Sequence, residues 1–192
     1  MKNKYKEIIN GDRDSLLLGK NTIPDNAILL SGSFNPFHFG HKELIDAAVN
    51  MTNRKGILEL SVINTDKSAL SLYDLEKRLE KIPKNYPLLL TRYSKFIEKV
   101  ESYKKVWFVL GFDTARRLLD FSYYNNIHSV FKKFLDYETR FIVGGRLTEK
   151  KFLTLGDLVI PSEFKSLFIS IPEEIFREDI SSTQLRENSQ TN

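Results

Sequence analysis

Residues 27–44 read AILLSGSFNPFHFGHKEL and decide the fold of this chain. The stretch opens with the apolar run AILL, which suits a buried parallel strand and is too short for a helix. Small, turn-forming residues follow over 31–36, and apolar residues then recur at helical spacing from Gly40 onward. The order strand, tight loop, helix brings a helix N-terminus, with its free backbone N–H groups, to the carboxyl end of a sheet.

The loop carries two of the three histidines of the chain, His38 and His41, with Gly40 between them. An imidazole can donate hydrogen bonds to phosphate oxygens and can switch its charge near neutral pH. A glycine lets a nucleotide approach the backbone closely, because it has no Cβ. The sequence contains no G-x-x-x-x-G-K-S/T and no G-x-G-x-x-G, so the commoner phosphate-binding motifs are excluded.

Residues 32–41, GSFNPFHFGH, resemble the G-x-F-x-P-x-H-x-G-H signature of the nucleotidyltransferase superfamily. That superfamily includes nicotinamide and nicotinate mononucleotide adenylyltransferases, pantetheine-phosphate adenylyltransferases and cytidylyltransferases. The resemblance implies that His38 and His41 are catalytic residues at the α- and β-phosphates of the nucleotide. It also implies that further loop residues bind the nucleotide, namely Gly32, Ser33, Phe34, Asn35 and Gly40.

A second motif lies near the C-terminus, where residues 180–186 read ISSTQLR. Taken alone, Ser182 or Thr183 is a good helix N-cap and Arg186 is a solvated side chain. The stretch also resembles the I-S-S-T-x-x-R motif of the same superfamily, which binds the β- and γ-phosphates of ATP. With both motifs present in this order, we expect Ser182 and Thr183 to bind the nucleotide and Arg186 to be catalytic.

Residues 110–114, LGFDT, end an apolar strand in a glycine turn. Asp113 can be the N-cap of the helix that follows. The stretch is also similar to the G-x-D-T motif of nicotinamide mononucleotide adenylyltransferases, whose glycine and aspartate hold the adenosine ribose. The resemblance therefore implies that Gly111 and Asp113 bind the nucleotide, and it favours the pyridine-nucleotide branch of the superfamily.

Three more basic residues are candidates, with an ordinary solvated side chain as the alternative for each. Lys67 lies in the loop after the second strand. In the family, a lysine of this loop approaches the nucleotide phosphates. A histidine often precedes that lysine, and here Asp66 takes its place. Arg78, on the next helix, faces either the same site or solvent. Arg146 follows two glycines at the end of a later strand and can border an adenine pocket; a tight turn explains the glycines equally well.

The composition bounds the class of protein. The 192 residues include 41% hydrophobic residues, with 14 Phe and 8 Tyr, which is enough for one substantial core. A net charge of +4 with dispersed basic residues argues against a nucleic-acid partner, and the absence of cysteine excludes disulfides and thiolate metal sites. Without a signal peptide or a membrane span, we expect a cytoplasmic protein with no membrane partner. The sequence leaves the oligomeric state open, and a homo-oligomer is one of the alternatives.

Strand and helix patterns alternate along the chain and predict an α/β fold with a doubly wound parallel sheet and helices on both faces. The resemblance specifies a Rossmann-like sheet of the adenylyltransferase type, in a single nucleotidyltransferase domain over residues 1–192. Residues 1–26 are mixed and polar, and we expect them to form one or two short helices packed outside as an N-terminal extension. We expect residues 187–192 to be a flexible tail.

The resemblance implies an enzyme of NAD biosynthesis that moves AMP from ATP to the 5′-phosphate of nicotinamide or nicotinate mononucleotide, with release of pyrophosphate. The phosphate nucleophile is already ionised at neutral pH, so catalysis rests on positioning and charge stabilisation. Mg²⁺ is expected to arrive on the phosphates of ATP, without a protein metal site. Two alternatives stay open: another adenylyl- or cytidylyltransferase, such as one for pantetheine phosphate, and a nucleotide-binding regulator without turnover.

Overall fold

The computed structural model of this protein describes residues 2–20, 22–63, 69–149 and 151–177. The strands within these ranges are β1 Ser15–Leu18, β2 Ala27–Ser31, β3 Lys55–Ser61, β4 Leu88–Thr91, β5 Trp107–Gly111, β6 Phe141–Gly144, β7 Arg146–Leu147, β8 Phe152–Leu153 and β9 Phe168–Ser170. The α-helices are α1 Lys2–Asn10, α2 Phe39–Thr52, α3 Leu72–Lys81, α4 Phe96–Tyr103, α5 Phe112–Leu118 and α6 Ile127–Asp136. Among the described residues, no helix combines the length and the apolar composition that crossing a membrane requires.

A seven-stranded sheet, in the order β1-β4-β3-β2-β5-β6-β9, forms the centre of the molecule, and β7 and β8 form a separate hairpin. All neighbouring pairs in the large sheet are parallel except the edge pair of β1 and β4. The chain runs outward from β2 through β3 to β4, and then returns to place β5 on the other side of β2. Such a reversal opens a crevice at the carboxyl ends of the strands, where α/β proteins bind ligands. The predicted doubly wound, mainly parallel sheet is confirmed.

Helices cover both faces of the sheet because the central strands are apolar on both sides. In β2, Ile28 and Leu30 belong to one core, shared with α1, α2 and α3. Ala27 and Leu29 belong to a second core, shared with α4, α5 and α6. The largest side chains of the second core are phenylalanines: Phe108, Phe131, Phe134, Phe141, Phe164 and Phe168. The continuous apolar run of β2 is therefore the sequence mark of a strand covered on both faces.

The N-terminal segment differs from the sequence-based prediction. Residues 1–26 were expected to form only helices outside the domain; α1 is such a helix, but Ser15–Leu18 forms β1 of the central sheet. β1 pairs antiparallel with β4, with Ser15 opposite Thr91 and Leu18 opposite Leu88. Three consecutive leucines carry neither a strand nor a helix period, so the free edge of β4 decides their conformation. The prediction of an external extension is wrong for these residues.

Replacing Phe141 by alanine should lower the free energy of unfolding by about 3–5 kcal/mol, because a fully buried ring would leave a cavity. The ring packs against Phe108, Phe134 and Phe168. Urea denaturation measures the loss. Val159→Ala is the control: its side chain is 89% exposed, and the change should stay within about 0.5 kcal/mol. Equal stability of the two variants would contradict this packing.

Candidate functional site

A cavity of about 980 Å³ lies at the carboxyl ends of β2 and β3, beside the point where the strand order reverses. This volume is in the range of sites that hold small molecules of nucleotide size. The loop after β2 forms one wall with Ser31, Gly32, Ser33 and Asn35. A further part of the lining comes from α5 and the segment that leads into α6: Thr114, Arg117, Tyr123, Tyr124, Asn125 and Asn126.

Both histidines lie at the N-terminus of α2, as the pattern of strand, loop and helix predicts. His38 is the N-cap residue, and its backbone N–H donates a hydrogen bond to Nδ1 of His41 at 3.2 Å. The two imidazole rings are 3.8 Å apart between centroids, and Gly40 is buried between them in the first turn. The rings of Phe34 and Phe37 pack against His41 at 5.2 and 5.4 Å. The histidines thus form one cluster with the helix end.

The His41 ring accepts a hydrogen bond at Nδ1, and burial keeps the ring uncharged. Burial, with a smaller contribution from His38, lowers the pKa of His41 from 6.5 to about 3. Burial also lowers the pKa of His38. Because Nδ1 of His41 accepts the backbone hydrogen bond, the neutral ring carries its proton on Nε2. The surroundings of His41 therefore hold its ring uncharged near neutral pH.

The loop between β2 and His38 is held from several sides. Gly32 has no room for a side chain, since a Cβ there would lie 2.7 Å from the Phe34 ring. The Gly32 N–H donates to the Glu59 carbonyl at 3.0 Å, and Arg78 Nη1 donates to the Ser33 carbonyl at 2.9 Å. Arg78, whose direction the sequence left open, therefore faces the loop. Phe34, a predicted nucleotide-binding residue, is only 1% exposed and packs in the core beneath the loop.

The ends of β5 and β6 meet at the same edge of the sheet, where Gly111 is the register partner of Gly144. Gly111 is the N-cap of α5, and Asp113 lies in the first turn, so the alternative of Asp113 as N-cap is wrong. Asp113 forms ion pairs with Arg146 and with Arg116, the latter at 3.4 Å. The structure thus brings two predicted nucleotide-binding residues, Asp113 and Arg146, into direct contact.

Two of the cavity residues that the sequence motifs did not mark form a buried ion pair. Glu59 of β3 is fully buried, Lys99 of α4 is 4% exposed, and their side chains form an ion pair of 2.7 Å that lines the cavity. Neither residue belongs to a motif. The available signal was a carboxylate inside the apolar run of β3, because a charge is buried in such a position only with a partner.

Four predicted site residues lie outside the described residues: Lys67, Ser182, Thr183 and Arg186. Their roles stay predictions. Within the described ranges, no three His, Cys, Asp or Glu side chains are grouped so that they could hold a metal ion. A Mg²⁺ ion that arrives on ATP needs no such group, since phosphate oxygens and water are its ligands.

Two comparisons relate this chain to known proteins. The model of the cytidylyltransferase-like family matches residues 29–188. A protein of Sulfurimonas denitrificans named "probable nicotinate-nucleotide adenylyltransferase" is 31% identical over 183 residues, and the match covers 86% of this chain and 86% of the relative. The residues matched by the family model include the histidine cluster, Asp113 and the C-terminal stretch 180–186.

The His41 ring should stay neutral, with its proton on Nε2, when the pH is lowered to about 5. Nitrogen-15 NMR of the imidazole measures both the charge and the tautomer, and His41→Gln identifies the resonance. A ring that protonates near its ordinary value of 6.5 would contradict the burial described above.

The lowered pKa of His41 also makes the stability of the fold depend on pH. Because the folded pKa is the lower one, the unfolded chain binds a proton below about 6.5 that the folded chain refuses until about pH 3. Stability should therefore fall as the pH falls through this window, by up to about 1.4 kcal/mol per pH unit from His41. His41→Gln should lose that part of the pH dependence in urea denaturation.

Proposed function

Because the chain belongs to the cytidylyltransferase-like family, we propose that it transfers AMP from ATP to the 5′-phosphate of nicotinate or nicotinamide mononucleotide. The products are the dinucleotide and pyrophosphate. One observation carries the proposal: two imidazoles at a helix N-terminus end a loop that also walls a cavity of nucleotide size. The name of the 31% identical relative supports a pyridine mononucleotide as the acceptor.

In the proposed reaction, an oxygen of the acceptor phosphate attacks the α-phosphorus of ATP. A new P–O bond forms, the bond from the α-phosphorus to the bridging oxygen breaks, and pyrophosphate leaves with the electron pair. The attacking phosphate is already anionic, so no group has to remove a proton from it. The protein lowers the barrier by holding the two phosphates in line and by donating hydrogen bonds to oxygens that gain charge.

The histidine cluster is proposed to hold the α- and β-phosphates of ATP. His41 donates an uncharged N–H whose direction is set by the bond at its Nδ1, and the backbone N–H groups of α2 add the positive end of the helix dipole. His38 lies beside it at the N-cap. The remaining phosphate ligands are proposed from the motifs alone: Lys67, Ser182, Thr183 and Arg186. A Mg²⁺ ion held by the ATP phosphates and water would neutralise charge on those phosphates.

The cavity is proposed to hold the acceptor. Cationic side chains suit its phosphate, and aromatic side chains suit a pyridine ring. Both kinds line the cavity: Arg78, Lys95, Arg117, Phe96, Tyr123 and Tyr124. Asp113 and Arg146 are proposed to bind the nucleoside of ATP, since a carboxylate accepts hydrogen bonds from both ribose hydroxyls.

The purified protein should release pyrophosphate from ATP only when a pyridine mononucleotide is added. A coupled pyrophosphate assay with ATP or CTP, tested against nicotinate mononucleotide, nicotinamide mononucleotide and phosphopantetheine, measures this. Turnover that requires CTP or phosphopantetheine would replace the proposal by another transferase of the family. Tight binding of ATP without pyrophosphate release from any acceptor would identify a nucleotide-binding regulator instead.

His38→Ala should lower kcat by about 100-fold or more with a smaller change in KM, because the contact is proposed to strengthen in the transition state. Steady-state pyrophosphate release measures both constants. His128→Ala is the matched control: this histidine lies on α6 with its side chain 62% exposed, and kcat should be unchanged. An unimpaired kcat in His38→Ala would remove His38 from the mechanism.

A further inference from the structure

A buried ion pair under the loop has no part in the chemistry proposed above. Glu59 is fully buried and Lys99 is 4% exposed, with Lys99 Nζ 2.7 Å from Glu59 Oε2. Moving two charges out of water is unfavourable, and a well-packed apolar pair of similar size is often equally or more stable. Stability therefore gives little reason for an ion pair at this position.

The polar contacts of the pair lead to the carboxyl ends of neighbouring strands. Thr91, the last residue of β4, donates from Oγ1 to Glu59 Oε1 at 2.5 Å. Lys99 Nζ donates to Oγ of Ser31, the last residue of β2, at 3.3 Å. Ser31 is also directly opposite Glu59 in the register of β2 and β3. The pair thus ties the ends of three adjacent strands to α4.

The same contacts fix the start of the loop that leads to the histidines. Ser31 is held by the Lys99 ammonium, and the next residue, Gly32, is held independently of the pair, since its N–H donates to the backbone carbonyl of Glu59 at 3.0 Å. From the other side, Arg78 binds the Ser33 carbonyl. The end of β2 and the first two loop residues are therefore anchored in turn by the Lys99 side chain, the β3 backbone and the Arg78 side chain.

The two charges of the pair are opposite and lie within one ion pair, so together they add no net charge to the cavity they line. The pair therefore acts on a bound nucleotide through the position of the loop, and not through a net charge. We propose that Glu59 and Lys99 are positioning residues for the transfer reaction, which set the end of β2 and the loop after it through the contact of Lys99 with Ser31. This inference rests on the proposed function.

The test replaces the ion pair by neutral groups of similar shape, in Glu59→Gln combined with Lys99→Met. This double variant should fold with near wild-type stability, but its kcat should fall about 10- to 100-fold with a smaller change in either KM, because the loop is misplaced. Ser31→Ala keeps the pair and removes its link to β2, so it should lower kcat as well. The triple variant should lose little more than the double variant, since all three residues act through one contact.

A matched control exists on the same helix. Lys133 and Glu101 form an ion pair of the same length, 2.7 Å, between α6 and α4, but both side chains are largely exposed and lie outside the cavity lining. Glu101→Gln combined with Lys133→Met should leave kcat and both KM values unchanged.

Amide hydrogen exchange over residues 31–35 gives a readout that does not need turnover. Exchange should be faster in the double variant and in Ser31→Ala than in the wild type and the control. If the wild type transfers no AMP, the proposed function fails. Amide hydrogen exchange then still shows whether Glu59 and Lys99 position the loop. Wild-type kcat and exchange in a folded double variant would overturn the inference. If the double variant does not fold, the same result in Ser31→Ala would overturn it.

Discussion

The parallel pairing of β2 with β3 on one side and β5 on the other is the constraint on which the site depends. Parallel strands run in one direction, so their last residues lie at one edge of the sheet. Neighbouring strands are about 4.8 Å apart, which keeps these residues close together. Ser31, Ser61 and Gly111 end these three strands. The loop, the cavity and the histidine cluster all lie at that edge because β2 runs parallel to both neighbours, with its apolar residues buried on both faces.

The parts of the fold that follow from local pattern were predictable. In residues 27–52, an apolar run, turn-forming residues and a helical period follow one another without conflict, and β2, the loop and α2 form as predicted. β1 was not predictable in this way, because three adjacent leucines fit either a strand or a helix. Its partner, β4, lies far along the chain, and only the assembled sheet offers the free edge that selects a strand.

The site likewise has features that the sequence predicts and features that only the folded structure shows. The position of His38 and His41 at a helix N-terminus follows from their spacing, but the low pKa of His41 depends on rings and a backbone N–H that only the folded loop brings around it. Glu59 and Lys99 are 40 residues apart, and no motif marks either one. The contact of Asp113 with Arg146 likewise needs the register of β5 and β6. These features come from long-range packing, which a single sequence does not display.

β1 also has a consequence for the integrity of the molecule outside the site. Every residue of β4 is buried, and three of the four are leucine. A strand of this kind at an open sheet margin would present unpaired peptide groups and an apolar ribbon, which together are a template for self-association. The short antiparallel β1 occupies that margin and is followed by Gly19, whose φ of +83° turns the chain away. A shortened chain that lacks β1 would therefore be prone to aggregate through β4, even with its histidine cluster intact.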